Sequence, residues 1–252
     1  MIRNYHRPTS LDEALALLSQ ADARPMGGGT VLNRPGPGFV DAVDLQAVGL
    51  GGLEPDGSSL AIGATVTLER LNQAEQAPEA LKRAIRLEAS LNLREMATAA
   101  GQLVAADGRS AYACAMLALD ARLVWAPGDV EVGLGDWLPL RGKRQPGRLI
   151  TAVKIALRPA LYFETIGRTP GDLPIVCLAA AHWPSGRTRV ALGGFGDAPV
   201  LAFDGPEPAG ADAACQDAYS RAGDAWASAE YRAEMAAVLA RRATAEFTRE
   251  GG

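Results

Sequence analysis

Few residues of this 252-residue chain have the type and spacing for chemistry, and the most suggestive of them are glycines. Arg24-Pro25-Met26-Gly27-Gly28-Gly29-Thr30-Val31-Leu32 sets three bare positions between an apolar lead-in and a return to the core. Without side chains the backbone is free to take positive φ, so successive N–H groups can face one concavity. Such a nest suits an anion, a diphosphate above all. An isolated Gly-Gly-Gly is more often an exposed turn, but here Pro25 stiffens the entry and Thr30 adds a hydroxyl. The run is no P-loop, which needs a following Lys-Ser/Thr, and no Rossmann turn, whose glycines are spaced differently.

The remaining chemical side chains offer little. His6 and His182 are the only histidines, too few for a triad or a histidine-ligated metal. Cys114, Cys177 and Cys215 are scattered, odd in number and never paired as CxxC. That usage points to a reducing compartment and argues against a cysteine-ligated zinc or iron–sulfur site. Asp12 with Glu13 fits a helix start, and Asp41 with Asp44 an alternating strand. Gly193-Gly194-Phe195-Gly196 reads as a hairpin exit. An anion cradle without nucleophile, metal cluster or acid–base pair is what a chain needs when a cofactor carries the chemistry.

Composition bounds the rest. The chain is 48% hydrophobic and 21% charged, with a net charge of -4, and is long enough for two or three small domains. No basic block stands out, which argues against a nucleic-acid binder. Met1 to His6 lacks the apolar region of a signal peptide, and no apolar run is long enough to span a bilayer, so a cytoplasmic protein is expected.

Around the glycines the sequence predicts a succession of short elements. Tyr5 to Pro8 is an extended arm, and Ser10 caps a helix with Leu11, Ala14, Leu17 and Leu18 on one face. Strands at Ala23–Met26 and Phe39–Leu45, joined through a Pro/Gly-rich link at Pro35 to Gly38, complete a small βαβ unit. Leu53-Glu54 and Ser59–Ala64 form strands around the Asp56-Gly57 turn. Helices start at Thr67 and run over Glu79–Ala89 and Ala111–Leu119. Leu91–Leu103 is small-residue-rich and poorly periodic, a second place where backbone could approach a ligand. Strands follow at Ala121–Trp125, Val130–Val132 and Leu149–Leu157. Tyr162–Ile166, Ile175–His182 and Arg187–Leu192 read as an antiparallel meander. Gly193 to Gly210 is Gly/Pro-rich, and two helices close the chain, Ala211–Ala222 and Ser228–Phe247. In the last, Tyr231, Met235, Val238, Leu239 and Ala243 are expected to form the buried stripe, with Arg241-Arg242 at its solvated end.

This order of features resembles the FAD-binding medium subunit of the molybdenum hydroxylases, the group containing carbon monoxide dehydrogenase and xanthine dehydrogenase. The resemblance spans essentially the whole chain. It rests on Tyr5-His6-Arg7-Pro8-Thr9-Ser10-Leu11-Asp12-Glu13-Ala14, Gly27-Gly28-Gly29-Thr30 and Ile62-Gly63-Ala64-Thr65-Val66-Thr67. Asp120-Ala121-Arg122-Leu123, Leu149-Ile150-Thr151-Ala152-Val153 and Ser228-Ala229-Glu230-Tyr231-Arg232 complete it.

The resemblance implies an α+β chain: a two-subdomain FAD-binding fold of the PCMH type, residues 1–52 and 53–158. A C-terminal three-stranded antiparallel sheet with helices follows over 159–252. It implies FAD, held at Met26, Gly27, Gly28, Gly29, Thr30 and Val31 around the diphosphate. A second loop contributes Thr98, Gly101 and Gln102; Asp107 and Leu149 lie on matched motifs, and Tyr162 and Arg168 stand near the isoalloxazine. Implied partners are a molybdopterin-binding large subunit and a [2Fe-2S] small subunit, with electrons leaving the flavin for an external acceptor.

Several positions depart from the family pattern, among them Gln102, one methylene longer than the family's Asn. Thr-Ile-Gly-Gly-Asn is here Thr98-Ala99-Ala100-Gly101-Gln102, where the Ala100 Cβ is expected to crowd a ligand or forbid positive φ. Glu95 replaces an amide, Ala111 replaces an acid expected on ribityl hydroxyls, and Glu164 replaces a lysine, where its charge would oppose a reduced flavin. The alternative these raise is a relative that keeps the fold but serves as a structural or docking subunit.

Overall fold

The computed structural model describes residues 1–33, 38–142 and 145–250. The link read at Pro35 to Gly38 lies, Gly38 apart, outside the described residues. In chain order the elements are β1 (Ile2–His6), α1 (Leu11–Leu18), β2 (Ala23–Met26), β3 (Val40–Asp44), β4 (Leu53–Asp56) and β5 (Ser59–Gly63). Then come α2 (Leu68–Gln73), α3 (Glu79–Glu88), α4 (Leu91–Arg94), α5 (Ala99–Ala105), α6 (Ala111–Ala118), β6 (Arg122–Ala126), β7 (Val130–Gly133) and α7 (Leu134–Trp137). After a 3-10 turn at Leu138–Leu140 follow β8 (Leu149–Ala156), β9 (Ala160–Ile166), β10 (Val176–His182), β11 (Thr188–Gly193), β12 (Val200–Gly205), α8 (Ala211–Ala218) and α9 (Ala229–Glu250). No described helix is long and apolar enough to cross a membrane.

The chain folds as two compact units. The first comprises Met1–Gln76, Ala89–Ala105 and Arg122–Ile155, so both stretches read as FAD-binding subdomains contribute to it. Its amino end is a parallel sheet of order β1-β3-β2, and the expected arm is therefore a strand: Tyr5 pairs with Ala42 and His6 with Val43. Ser10 caps α1 as expected, accepting from the Glu13 N–H at 3.3 Å while the Glu13 carboxylate takes the N–H of Thr9. That fixes α1 so that Ala14 and Leu18 are buried with Ala23, Val43, Leu45 and Leu149. A five-stranded sheet of order β4-β5-β8-β6-β7 forms the rest.

The second unit comprises Ala77–Glu88, Ala106–Ala121 and Ala156–Gly252. By their contacts α3 and α6 thus join the C-terminal sheet. That sheet is antiparallel but has four strands, in the order β12-β11-β10-β9, where three are expected. The extra one, β12, lies in the Gly/Pro-rich stretch and is defined by its ladder to β11. β10 is apolar on both faces because both are covered. Val176, Leu178 and Ala180 share a core with Leu239, Ala240 and Phe247 of α9, while α6 packs on β10 and β11 as well.

The last helix corrects two expectations. Its buried face runs through Arg232, Ala236, Leu239, Ala240, Ala243 and Phe247, and Tyr231 is 41% exposed. An arginine can hold a core position because its polar head is fully met: Arg232 donates to the Ile175 and Ala222 carbonyls and to both Asp224 oxygens, all within 3.1 Å, and lies over the Phe195 ring. The helix also runs on past Arg241 and Arg242, which are not its end; they pair with Asp212 and Glu164. The GxG segment does not simply leave a hairpin. The Gly194 N–H donates to the Gly108 carbonyl at 2.6 Å and the Gly108 N–H to the Gly196 carbonyl at 2.9 Å, a clasp in which a Cβ on Gly108 would stand 1.9 Å from the Phe195 oxygen.

Candidate functional site

The triglycine follows directly on β2, whose last carbonyl, that of Met26, accepts from the Leu45 N–H at 2.9 Å. Of the three, only Gly29 has positive φ, at 71°. The other two are bare for a different reason. A Cβ on Gly28 would stand 1.5 Å from the Met96 carbonyl oxygen, and one on Gly27 would stand 2.6 Å from the Thr98 hydroxyl. The loop is pressed backbone to backbone against residues 96–98, which is how β2 and α5 come to share one wall. After Gly29 the chain turns helically, with the Asn33 N–H on the Gly29 carbonyl. Among the described residues none accepts a hydrogen bond from the amides of Gly27, Gly28 or Gly29. These three half-buried glycines line a cleft of about 480 Å³ within the first unit.

The start of α5 continues that wall. The segment matched to the family's second loop is not a loop. The Thr98 hydroxyl accepts from the Gly101 N–H at 3.2 Å, its carbonyl accepts from the Gln102 N–H at 2.8 Å, and Ala100 sits in the helix without positive φ. The Ala100 Cβ is therefore accommodated by helical geometry, 6% exposed on the cleft wall.

Thr98 and Gly101 line the cleft with Met26, Gly27, Gly28, Gly29, Thr30, Val31 and Leu149. Gln102 follows on α5 but is not among the lining residues. Asp107, Tyr162 and Arg168 belong to the second unit. Asp107 is exposed and accepts from the Arg109 N–H at 2.8 Å. Burial and the hydrogen bond to Glu164 hold the Tyr162 phenol neutral, well above its ordinary pKa. The Glu164 charge in turn is met by Arg242 at 2.5 Å, so it does not stand open against a reduced flavin.

The cleft also holds residues that sequence reasoning missed. Arg24, Arg141 and Arg148 line it, and among the described lining residues there is no carboxylate, so its field is positive. Two of them frame Arg141-Gly142-Lys143-Arg144-Gln145-Pro146-Gly147-Arg148, four cations in eight positions, a local basic cluster hidden by the net charge of -4. The described part of this segment is tied down by the Gly147 N–H on the Leu18 carbonyl and by Arg148 on Gln145. Arg148 lies over the Trp125 ring at 5.4 Å, and Trp125 tilts against Trp137 at 6.1 Å. Both indoles line the cleft, and the Trp125 Nε1 donor is buried without a partner among the described residues.

A family model described as the FAD binding domain in molybdopterin dehydrogenase matches residues 1–157. The chain belongs to that family. It is a FAD-binding component of an oxidoreductase, and the expected cofactor and α+β fold stand. The uncharacterized protein YgfM of Escherichia coli K12 is 31% identical over 199 residues, 77% of this chain and 75% of the relative. The carbon monoxide dehydrogenase medium chain of Afipia carboxidovorans is 29% identical over an alignment 280 positions long, covering 95% of this chain and 94% of that one. Among solved structures, the reconstituted CO dehydrogenase from Oligotropha carboxidovorans superimposes with a TM-score of 0.79 at 26% identity, covering 95% of each chain. For a FAD-binding domain of this family the cleft fits its cofactor in three physical respects. Among the described residues its glycine amides have no acceptor, its lining cations have no carboxylate in the lining beside them, and a buried indole donor has no partner.

Proposed function

We propose that this chain is the flavoprotein subunit of a molybdenum-containing dehydrogenase. It would receive electrons from the [2Fe-2S] clusters of a small subunit, themselves fed by a molybdopterin-binding large subunit, and release them to an external acceptor in the cytoplasm. The observation that carries the reading is the set of Gly27, Gly28 and Gly29 amides, without an acceptor among the described residues, in a cleft lined by Arg24, Arg141 and Arg148. A similar complete medium chain from a carbon monoxide dehydrogenase supports it.

In this reading the glycine amides and the Thr30 hydroxyl hold the diphosphate, and the arginines offset its charge. Met26, Val31, Thr98, Gly101 and Leu149 shape the walls. Gln102 adjoins them. Asp107 and Tyr162 stand with the cofactor on the resemblance alone, and Arg168, which the resemblance also sets near the isoalloxazine, lines a separate cavity of the second unit. Bound FAD would supply the redox chemistry. The chain's own task is to bind, orient and keep water out, and Trp125 and Trp137 serve the last. No lining residue is offered as an acid or base.

The test is direct. Purified chain incubated with FAD and passed through a desalting column should retain visible flavin absorbance close to one FAD per chain. Arg148→Gln should lower that affinity about tenfold, the usual worth of one charge-assisted contact. A wild-type chain that stays colourless in excess FAD would leave the docking-subunit reading in its place.

A further inference from the structure

The second unit has a cavity of its own, about 420 Å³, lined by Arg109, Arg168, Asp172, Leu173, Ile175 and Trp226. It shares no lining residue with the glycine cleft. Two guanidinium groups converge there on one indole: Arg109 lies 4.9 Å and Arg168 5.0 Å from the Trp226 ring centroid. A single arginine on a tryptophan is an ordinary surface contact, worth up to about 1 kcal/mol when exposed. A second one brings like charges together, and that costs energy unless something negative shares the site.

The parts are braced from three segments. Arg109, just ahead of α6, donates its Nε to the Pro174 carbonyl at 3.1 Å and its Nη2 to the Leu173 carbonyl at 2.7 Å, which leaves Nη1 uncommitted. Trp226 is held through its own N–H on Asp224, which the buried Arg232 locks in turn. The indole stays 51% exposed. Arg168, on the β9–β10 turn, makes no hydrogen bond or ion pair with a described residue, so its whole donor fork is free. The one carboxylate lining the cavity, Asp172, is turned to the Thr169 N–H at 3.1 Å.

We infer that Arg109 and Arg168, propped on Trp226, form a binding site for a dianionic oxyanion. A phosphate ester and a dicarboxylate share that chemistry. Forked donors from two guanidiniums meet such a group in paired hydrogen bonds and relieve the mutual repulsion of the two cations.

Calorimetric titration of the full chain with inorganic phosphate and, separately, succinate would test this, with saturating FAD present so that the glycine cleft is filled. Both anions, or one of them, should bind. Arg168→Gln should weaken the tighter one about tenfold and Arg168→Lys restore part of the loss. The tighter anion identifies the class, phosphate ester or dicarboxylate. Arg168 is exposed, so the variants should keep their fold, and circular dichroism checks that. Absence of binding by either anion, equal affinity in Arg168→Gln, or binding that FAD abolishes would overturn the site, the last by assigning the cavity to the flavin. If the chain proves to take no FAD, the difference between wild type and Arg168→Gln still reads this cavity by itself.

Discussion

The carbonyl oxygen of Met96 stands 1.5 Å from the point a Cβ on Gly28 would occupy. Gly28 is therefore bare because backbone meets backbone there, and a side chain at 28 must part the glycine loop from the wall of α5. Gly28→Ala is expected to destabilise the chain by about 3 kcal/mol, at the upper end for overpacking, and to release FAD with it. Gly27→Ala meets only the Thr98 side chain, its hydroxyl at 2.6 Å and its methyl at 3.0 Å, and Thr98→Ala removes both. The double variant should lose less stability than the two single losses added together, whereas Gly28→Ala should gain nothing from Thr98→Ala. Urea midpoints of the six proteins, wild type and both doubles included, check this, and strict additivity of Gly27→Ala with Thr98→Ala would refute the packing account.

A second prediction concerns acid. Glu69 of α2 is nearly buried and bonds Arg94 at 2.6 Å, with Asn72 and Gln73 also donating to it. The Arg94 hydrogen bond holds the Glu69 carboxyl below the ordinary glutamate value of 4.5, against the upward push of burial. A depressed folded pKa means that the unfolded chain binds the proton first. The contribution is complete above 4.5 and drains away as pH falls through the lower folded value. Arg94→Met should cost about 3 kcal/mol at pH 7 by stranding a buried carboxylate. It should also reduce the stability lost between pH 7 and pH 4. Denaturant unfolding at both values measures it; an unchanged acid loss in the variant would show that the pair does not couple to folding.

Legibility in the sequence follows the range of each interaction. Local signals read well: Ser10 and Thr67 cap their helices because a short hydroxyl side chain meets the free N–H groups of the first turn. Signals that depend on a partner did not. β12 has a glycine- and proline-flanked sequence and is a strand only through its ladder to β11. In the stripe of α9, Leu239 and Ala243 are buried as expected, but Arg232 takes the place expected for Tyr231, because the fold gives Arg232 acceptors that sequence cannot display. At the cleft, the glycines were legible and their reason was not: close approach to Met96 and Thr98 accounts for Gly28 and Gly27, and positive φ only for Gly29. Arg141 and Arg148 went unnoticed because whole-chain charge hides an eight-residue basic segment.

The last prediction turns on an unmet donor. Trp125 is 8% exposed on β6, lines the cleft, and its Nε1–H has no partner among the described residues. A buried donor left unsatisfied costs about 1–3 kcal/mol, a cost that an acceptor on a bound cofactor would remove. Trp125→Phe keeps the apolar ring and deletes the donor. The apo protein should then melt at the same temperature or slightly higher. FAD affinity should fall about five- to tenfold, the loss of one hydrogen bond near 1 kcal/mol. Thermal melts with and without FAD, together with a fluorescence titration, separate the two effects. A variant that binds FAD as tightly as wild type would place the Nε1–H away from the cofactor, and one that also melts higher would mark it as a defect tolerated for another reason.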